Sequence, residues 1–251
     1  QIALTNEFTL ANLDGLANLP RNYELRFNSE DFDLAGGIYN GLFTTPEFAV
    51  EFLTDGTNRK PIRGIYDIFL CSKIESYKDS TLDTYYVAPD IDRNPGDSPH
   101  TFNDECSACH VPLDSQRPSF AYLDEANGVA RLLDEVSPKL NRNQKEFSGF
   151  ITVSDDWENP LTTPAHMERF GWRGPTYGRG LNSFASMIVN AEQFSRCMAQ
   201  RVSREFCDLP ENFNSSSETK EIVQAIATDF EKSGYKFKEL IKSAVRSPLC
   251  H

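Results

Sequence analysis

Long hydrophobic runs are missing from this sequence of 251 residues. No apolar stretch reaches the roughly 18 residues that a membrane-spanning helix needs, so no membrane span is predicted. The sequence starts at Gln1, without an initiating Met and without a basic, apolar leader. Such a start is expected of an exported protein whose signal peptide has been removed.

Positive charge is also scarce. The chain has 25 Lys and Arg against 37 Asp and Glu, a net charge of −12. Binding to nucleic acid or to anionic lipid through general electrostatics is therefore not expected. A soluble acidic surface that attracts basic partners fits this composition better.

Histidine and cysteine are few, with 4 and 6 copies, but three of them form the run Cys106-Ser-Ala-Cys109-His110. A C-x-x-C-H run is the attachment signature of haem c. On a helix the two thiols lie on one face, and His110 follows on the same side, where its imidazole can bind the iron. The sequence offers no second ligand pair for a zinc site, and a redox dithiol usually lacks the following histidine. We therefore expect one haem c, held covalently through Cys106 and Cys109.

The other four cysteines are Cys71, Cys197, Cys207 and Cys250. An even number in an exported chain predicts two disulfides, although free buried thiols are the alternative. Cys197 and Cys207 lie on or at the end of one predicted helix, ~15 Å apart, which is too far for a disulfide. We expect the pairs Cys71–Cys197 and Cys207–Cys250.

Hydrophobic periodicity predicts a mainly α fold. A helix is expected to begin at Thr45-Pro46-Glu47, and a second to run from Pro61 to Cys71. Asn103 or Asp104 is expected to cap the helix that carries the C-x-x-C-H run. The C-terminal third predicts a three-helix unit, with helices over 181–198, from Ser217 to Gly234 and over 237–248.

The remaining segments are poor in regular patterns. Residues 72–100 and 111–178 are rich in turn-forming residues and are expected to be long irregular segments that wrap the haem, with a short strand over 147–153. Residues 1–40 are interpreted as an N-terminal arm that lies on the body or on a neighbouring molecule. Residues 41–251 are interpreted as a single domain.

The order of these features resembles the planctomycete-type monohaem cytochrome c domains, which also occur in myxobacteria and other bacteria. Three stretches, together covering about residues 40–250, carry the resemblance: 43–71 with FTTPEF and FLC; 106–131 with CSACH, Pro112 and Asp114; and 180–248 with FSRC and SGY. The resemblance implies a cytochrome c-like helical domain that binds haem. Residues 132–178 are longer than, and different from, the family pattern.

The sequence offers several candidates for the sixth iron ligand. Met167 is the first choice, because it lies in a predicted loop just before a long helix, as axial methionines often do. The alternatives are His166, Met187, Met198, His100, His251, or no protein ligand. Arg131 and Arg173 are the candidate partners of the haem propionates, with Arg179 as a further choice. Trp157, Trp172 and Tyr177 are candidates for the pocket lining.

Three functions follow from these residues. The first is one-electron transfer by a periplasmic or extracellular monohaem cytochrome to redox protein partners. The second is a subunit of an extracellular cytochrome polymer that relays electrons between copies of itself, with the N-terminal arm and His251 acting in a homo-oligomer. The third is a haem enzyme, or a sensor of gas or peroxide, with an open distal site.

Overall fold

The computed structural model describes residues 41–250, and all structural statements below refer to them. The predicted N-terminal arm over residues 1–40, and His251, lie outside this range. The described chain is mainly helical, with two small two-stranded antiparallel sheets. None of its helices combines the length and the apolar character that crossing a membrane requires.

The first two helices begin close to where the sequence predicts them. Helix α1 (Pro46–Phe48) is capped by the Thr45 side chain, which accepts the N–H of Phe48 at 3.2 Å, and it continues as a π-helical turn over Ala49–Leu53. Helix α2 (Arg59–Leu70) ends at Cys71 in a left-handed conformation. Its apolar stripe faces the core and contains Ile62, Ile65, Tyr66 and Leu70.

The helix that carries the C-x-x-C-H run begins earlier than predicted. Helix α3 (Pro99–Thr101) leads through a π-helical turn (Phe102–Cys106) into α4 (Ser107–Asp114) without leaving right-handed helical geometry. Asn103 and Asp104 therefore lie inside the helix, and the prediction that one of them caps it is wrong. Pro99 is favourable at this start because it lacks only an N–H that would be unpaired there.

Residues 111–178 hold more regular structure than predicted. Strands β1 (Leu123–Ala126) and β2 (Val129–Leu132) form a hairpin whose turn residues, Asn127 and Gly128, both have positive φ. This is the geometry that an Asn-Gly pair favours between strands. Strand β3 (Asp156–Glu158) pairs with β4 (Tyr177–Arg179), and helix α5 (Pro164–Phe170) lies between them in sequence.

The strand predicted over 147–153 is wrong. This segment has no partner strand within the described chain, and its hydrogen bonds are isolated ones to separate segments. The N–H of Phe150 donates to the carbonyl of Val87 at 2.9 Å, and the side chain of Asn141 bridges both backbone groups of Thr152. The segment is thus held against the loop before the C-x-x-C-H helix without forming a ladder.

The C-terminal third contains the predicted three-helix unit, with one correction. The first helix is broken at Ala191, which is extended (φ −66°, ψ 138°), and so gives α6 (Gly180–Asn190) and α7 (Glu192–Phe206). Helices α8 (Ser217–Lys232) and α9 (Phe237–Val245) pack with α7 around a shared apolar core. Helix α8 begins at Ser217, as predicted, and the side chain of Ser216 caps it.

Both predicted disulfides form. The Cα atoms of Cys71 and Cys197 are 5.4 Å apart, and those of Cys207 and Cys250 are 4.7 Å apart. The first bond joins the end of α2 to α7, so that it ties the N-terminal helices to the three-helix unit. It closes a separation of 126 residues, for which the chain-entropy model gives a stabilisation of about 5 kcal/mol.

The main core is aromatic. Tyr66, Phe120, Phe170 and Phe184 are all fully buried in it. Phe194 packs against both this core and the core of the three-helix unit. The C-x-x-C-H helix lies at the edge of the main core, with Cys109 packed against it.

Candidate functional site

Cys106, Cys109 and His110 lie on one face of the helix that spans the π-helical turn and α4. The two thiols are half buried and are the free cysteines of the described chain. The intervening Ser107 and Ala108, by contrast, are buried on the opposite face. The helix thus offers two unpaired thiols and an imidazole on its outer side.

The His110 ring is oriented with one nitrogen inward and one outward. Its side chain is 26% exposed. Nδ1 is buried and makes no hydrogen bond, whereas Nε2 is not among the buried polar atoms. Burial lowers the pKa of His110, an effect that the charge of Asp114 partly offsets. A neutral ring with an accessible Nε2 is the form that binds a metal.

Apolar side chains surround the two thiols. Cys106 packs on a small cluster formed by Val87, Phe102 and Val111. Cys109 packs against the main core, and the partly buried Leu82 packs against both this cluster and that core. The loop that follows α2 therefore supplies an apolar side chain to both of the clusters on which the thiols lie.

The Cys109 thiol lacks the activation that redox cysteines show. Burial raises its pKa, and the charges of Lys78 and Arg63 only partly oppose this effect. A raised pKa keeps the thiol protonated at neutral pH, whereas reactive dithiols have lowered pKa values. This environment favours a thiol that forms one lasting covalent bond. It is less suited to a thiol that cycles between the reduced form and a disulfide.

Four charged groups lie close to His110, and two of them, Asp114 and Arg117, are fully buried. The carboxylate of Asp114 is fully buried and accepts hydrogen bonds from Nε and Nη2 of Arg59 and from the backbone N–H of Ala88. Arg59 also forms two hydrogen bonds with Asp90, at 2.6 and 2.7 Å. The side chain of Arg117 is 1% exposed, and its Nε lies 3.8 Å from Asp114. Two carboxylates thus balance two guanidinium groups.

Pro112 positions the loop that covers this helix. As a proline inside α4, it has no N–H to donate to the carbonyl of Ala108 four residues earlier. That carbonyl instead accepts the backbone N–H of Asp79 at 3.2 Å. The missing helical bond is therefore replaced by a contact that fixes the segment around Tyr77 and Asp79 beside Cys109.

Tyr77 brings a second unpaired polar atom to this place. The residue is 2% exposed, and its hydroxyl is buried without a hydrogen-bond partner. Burial raises the pKa of Tyr77, and the neighbouring Cys109 raises it further. Buried hydroxyls are nearly always paired in folded proteins, so Tyr77 is unusual among the groups beside Cys109.

Met167 lies on the surface of α5. Its side chain is 41% exposed. The neighbouring His166 is buried, and both of its ring nitrogens are used. Nε2 lies 3.0 Å from the carbonyl of Tyr77, and Nδ1 lies 2.8 Å from the hydroxyl of Thr163. Since a carbonyl can only accept, Nε2 carries the proton and the lone pair of Nδ1 is occupied. Of the two residues, Met167 has the uncommitted donor atom.

The other candidates for the sixth ligand differ in accessibility. Met187 is buried, and its sulfur accepts a hydrogen bond from Asn159 at 3.5 Å. Met198 packs against the core of the three-helix unit. His100 is exposed on α3, six residues before Cys106. His251 lies outside the described residues.

The arginines predicted to bind propionates are exposed, and two of them pair with carboxylates. Arg131 is exposed on β2. Arg173 is 47% exposed and pairs with Glu192 and Glu231, at 3.2 and 3.0 Å. Arg179 pairs with Asp155 at 2.8 Å.

The aromatic residues predicted to line the pocket are likewise engaged elsewhere. The indole N–H of Trp157 donates to Ser183, and that of Trp172 donates to the carbonyl of Leu161. Tyr177 is 69% exposed on β4. Both tryptophans therefore belong to the core packing of their own segments.

Sequence reasoning missed the groups that flank the site. Arg63 and Lys78 are the cations whose charge acts on Cys109, and Tyr77 and Asp114 lie beside Cys109 and His110. Asp114 carried a signal, because it is one helical turn after His110. No local pattern indicated the others, which come from α2 and from the loop after it.

Within residues 41–250, no three His, Cys, Asp or Glu side chains converge as a metal site. The thiols and the imidazole therefore stand as a helix face rather than as a closed ligand set. Comparison with protein-family models, with curated proteins and with solved structures gives no match for this chain.

Proposed function

We propose that this protein is a monohaem c-type cytochrome that transfers single electrons outside the cytoplasm. Cys106 and Cys109 would hold the haem through thioethers, and Nε2 of His110 would bind its iron. One observation carries the proposal: two free half-buried thiols and an outward Nε2 share a helix face, while the other four cysteines are closed into disulfides.

The unpaired atoms around the face fit this group. His110 Nδ1 and the Tyr77 hydroxyl are buried without partners among the described residues, and Leu82 packs against both apolar clusters on which the thiols lie. A porphyrin is a large apolar ring with polar propionates at one edge. We propose Arg63 and Lys78, whose charges act on Cys109, as propionate partners in place of Arg131 and Arg173, although Arg63 must then exchange its exposed pair with Glu75.

The planctomycete-type cytochrome c family remains part of this proposal. The helical fold, the two disulfides and the long loop that covers the C-x-x-C-H helix support a cytochrome c-like domain. When bound, the haem supplies a one-electron couple whose potential depends on its axial ligands and surroundings. The chain's own part is to fix the His110 ring, to cover the thiols with apolar side chains and to hold the covering loop through Asp79.

We propose Met167 as the sixth ligand, with His100 as the alternative. Both are exposed and uncommitted, whereas His166 and Met187 are engaged in the core. Helix α5 also contacts the loop over the C-x-x-C-H helix, because His166 bonds to the Tyr77 carbonyl and Asp79 bonds to Ala108.

Export to the periplasm or to the cell exterior fits the two disulfides, which persist in oxidising compartments. The net charge of −12 favours a redox partner with a basic docking surface, since association is steered by charge complementarity. Copies of the chain repel one another by the same argument, so assembly into a homo-oligomer would need specific contacts.

The coordination of the iron tests electron transfer against enzyme or sensor function. The protein is produced in a periplasm with cytochrome c maturation, and its reduced spectrum is recorded with and without carbon monoxide. An electron carrier with two protein ligands takes up one electron per chain and leaves its spectrum unchanged under carbon monoxide. Rapid binding of carbon monoxide would instead indicate an open site, as in a haem enzyme or a gas sensor.

A further inference from the structure

Asp114 lies one helical turn after His110, and its carboxylate faces the inner nitrogen of the ring. The Oδ2 atom is 3.9 Å from His110 Nδ1. This is beyond hydrogen-bond distance, yet Nδ1 is buried and has no other partner. The carboxylate and the inner ring nitrogen therefore face each other in the protein interior without an intervening partner among the described residues.

The carboxylate cannot turn away from this position. Arg59 holds both of its oxygens, and the N–H of Ala88 donates to Oδ2 at 2.9 Å. Two of these bonds, from Nη2 of Arg59 and from Ala88, end on Oδ2, which is the oxygen near His110, and the third ends on Oδ1. The side chain is 0% exposed, so water does not screen the charge that Asp114 presents to the ring.

A fixed carboxylate selects one tautomer of the ring. An N–H directed at the negative charge is favourable, whereas a lone pair directed at it is repelled. The proton therefore sits on Nδ1, and Nε2 presents its lone pair at the surface. Metal-binding histidines generally donate their second N–H to such a partner, which raises the basicity of the ligand.

We propose that Asp114 is a positioning residue that fixes His110 in the Nδ1–H tautomer and lowers the reduction potential of a haem bound at Nε2. The inference rests on the proposed function. Its physical reason is that a carboxylate facing the N–H of the ring makes the imidazole a stronger electron donor, which stabilises the oxidised iron. Arg59 and Arg117 moderate this effect because they share the charge of the carboxylate.

The chain offers a matched control in Asp90. Both Asp114→Asn and Asp90→Asn remove one negative charge from the same network, and both weaken the bonds to Arg59, but only Asp114 faces His110. The reduction potentials of the haem-loaded variants are measured by redox titration. We expect Asp114→Asn to favour reduction by about tenfold or more, which is about 59 mV for one electron. Asp90→Asn should shift the equilibrium by less than half of that free energy.

Equal shifts in the two variants would overturn the proposal, since Asp114 would then act only as a distant charge. A second measurement does not depend on the folding of any variant. The wild-type protein, labelled with ¹⁵N-histidine, is reduced under carbon monoxide, which makes the iron diamagnetic whether its sixth position is filled or open. A neutral ring that binds iron through Nε2 carries its proton on Nδ1 in any case, so the readout is the interaction of that proton with the carboxylate. A slowly exchanging proton with a strongly downfield shift supports the proposal, and a freely exchanging proton with an ordinary shift contradicts it.

The failures of the two proposals are distinguishable. If the wild-type chain carries no covalent haem, the proposed function fails and the role of Asp114 fails with it. If the haem is present and bound by His110, but Asp114→Asn behaves as Asp90→Asn, only the role of Asp114 is wrong.

Discussion

The backbone N–H of Asp79 donates to the carbonyl of Ala108, 29 residues further along the chain, at 3.2 Å. The bond exists because Pro112 leaves that carbonyl without its helical partner. It joins the loop after α2 to the middle of the C-x-x-C-H run. The loop in turn brings Tyr77 to Cys109, and Leu82 to the apolar groups around both thiols.

Replacing Pro112 with Ala should loosen this loop. The new N–H of residue 112 competes with that of Asp79 for the Ala108 carbonyl, so the amide of Asp79 should exchange about fivefold faster, equivalent to about 1 kcal/mol. Hydrogen exchange followed by mass spectrometry measures this change. Pro118→Ala removes a proline from the next turn and should leave Asp79 protected. Unchanged exchange of the Asp79 amide in Pro112→Ala would contradict this prediction, because the Ala108 carbonyl would then accept both N–H groups.

Arg117 should be far more important for stability than an exposed arginine. Arg117→Met leaves Asp90 and Asp114 with Arg59 as their cationic partner and leaves the carbonyls of Thr57 and Leu140 without their donor. Breaking a buried charge network in this way typically costs about 3–5 kcal/mol. Arg173→Met, which breaks exposed pairs, should cost less than about 1 kcal/mol. Urea denaturation of both full-length variants tests this, and similar losses would contradict the account of the buried network.

Asp90 should make the protein sensitive to acid. Burial alone would raise its pKa, but hydrogen bonds from Arg59 and the charges of Arg59 and Arg117 hold it below the ordinary value of 3.8. A lowered folded-state pKa contributes stability that is complete above the unfolded-state value and is lost as the pH falls through the folded-state value. The stability difference between the wild type and Asp90→Asn should thus be constant from about pH 7 to about pH 5 and shrink below about pH 4. A stability difference between the two proteins that grows as the pH falls would contradict the lowered pKa of Asp90.

Met167→Ala tests the sixth ligand. If Met167 binds the iron, its loss opens a coordination position, so the reduced protein becomes able to bind carbon monoxide. The reduction potential should also fall, because a Met ligand raises it. Met198→Ala is the control, since this methionine packs in the three-helix unit. An unchanged spectrum in Met167→Ala would eliminate Met167 and direct attention to His100.

The parts of the fold that sequence patterns predict are the local ones. The C-x-x-C-H run, the starts of α1 and α2 and the two disulfides follow from the spacing of a few residues and from helix dimensions. The Asn127-Gly128 turn was equally local and could have been predicted from that pair. The break at Ala191 had no such signal, because no Gly or Pro marks it.

The surroundings of the site were harder to predict because distant segments form them. Arg59 and Asp114 are 55 residues apart in sequence, and Arg117 contacts a carbonyl 60 residues away. Neither pair belongs to a periodic pattern. Their contacts depend on how several distant elements pack together, which the local sequence does not indicate. The arginines proposed from sequence as propionate partners were chosen without this information.

The mass of the purified protein tests the central claim most directly. The chain is produced in a periplasm with cytochrome c maturation, beside a variant that carries both Cys106→Ser and Cys109→Ser, and both proteins are denatured before measurement. We predict that the wild-type chain retains the mass of one haem and the absorption of a haem with two thioethers, while the variant retains neither. A wild-type chain with the mass of the polypeptide alone would contradict the account, as would a variant that keeps its haem.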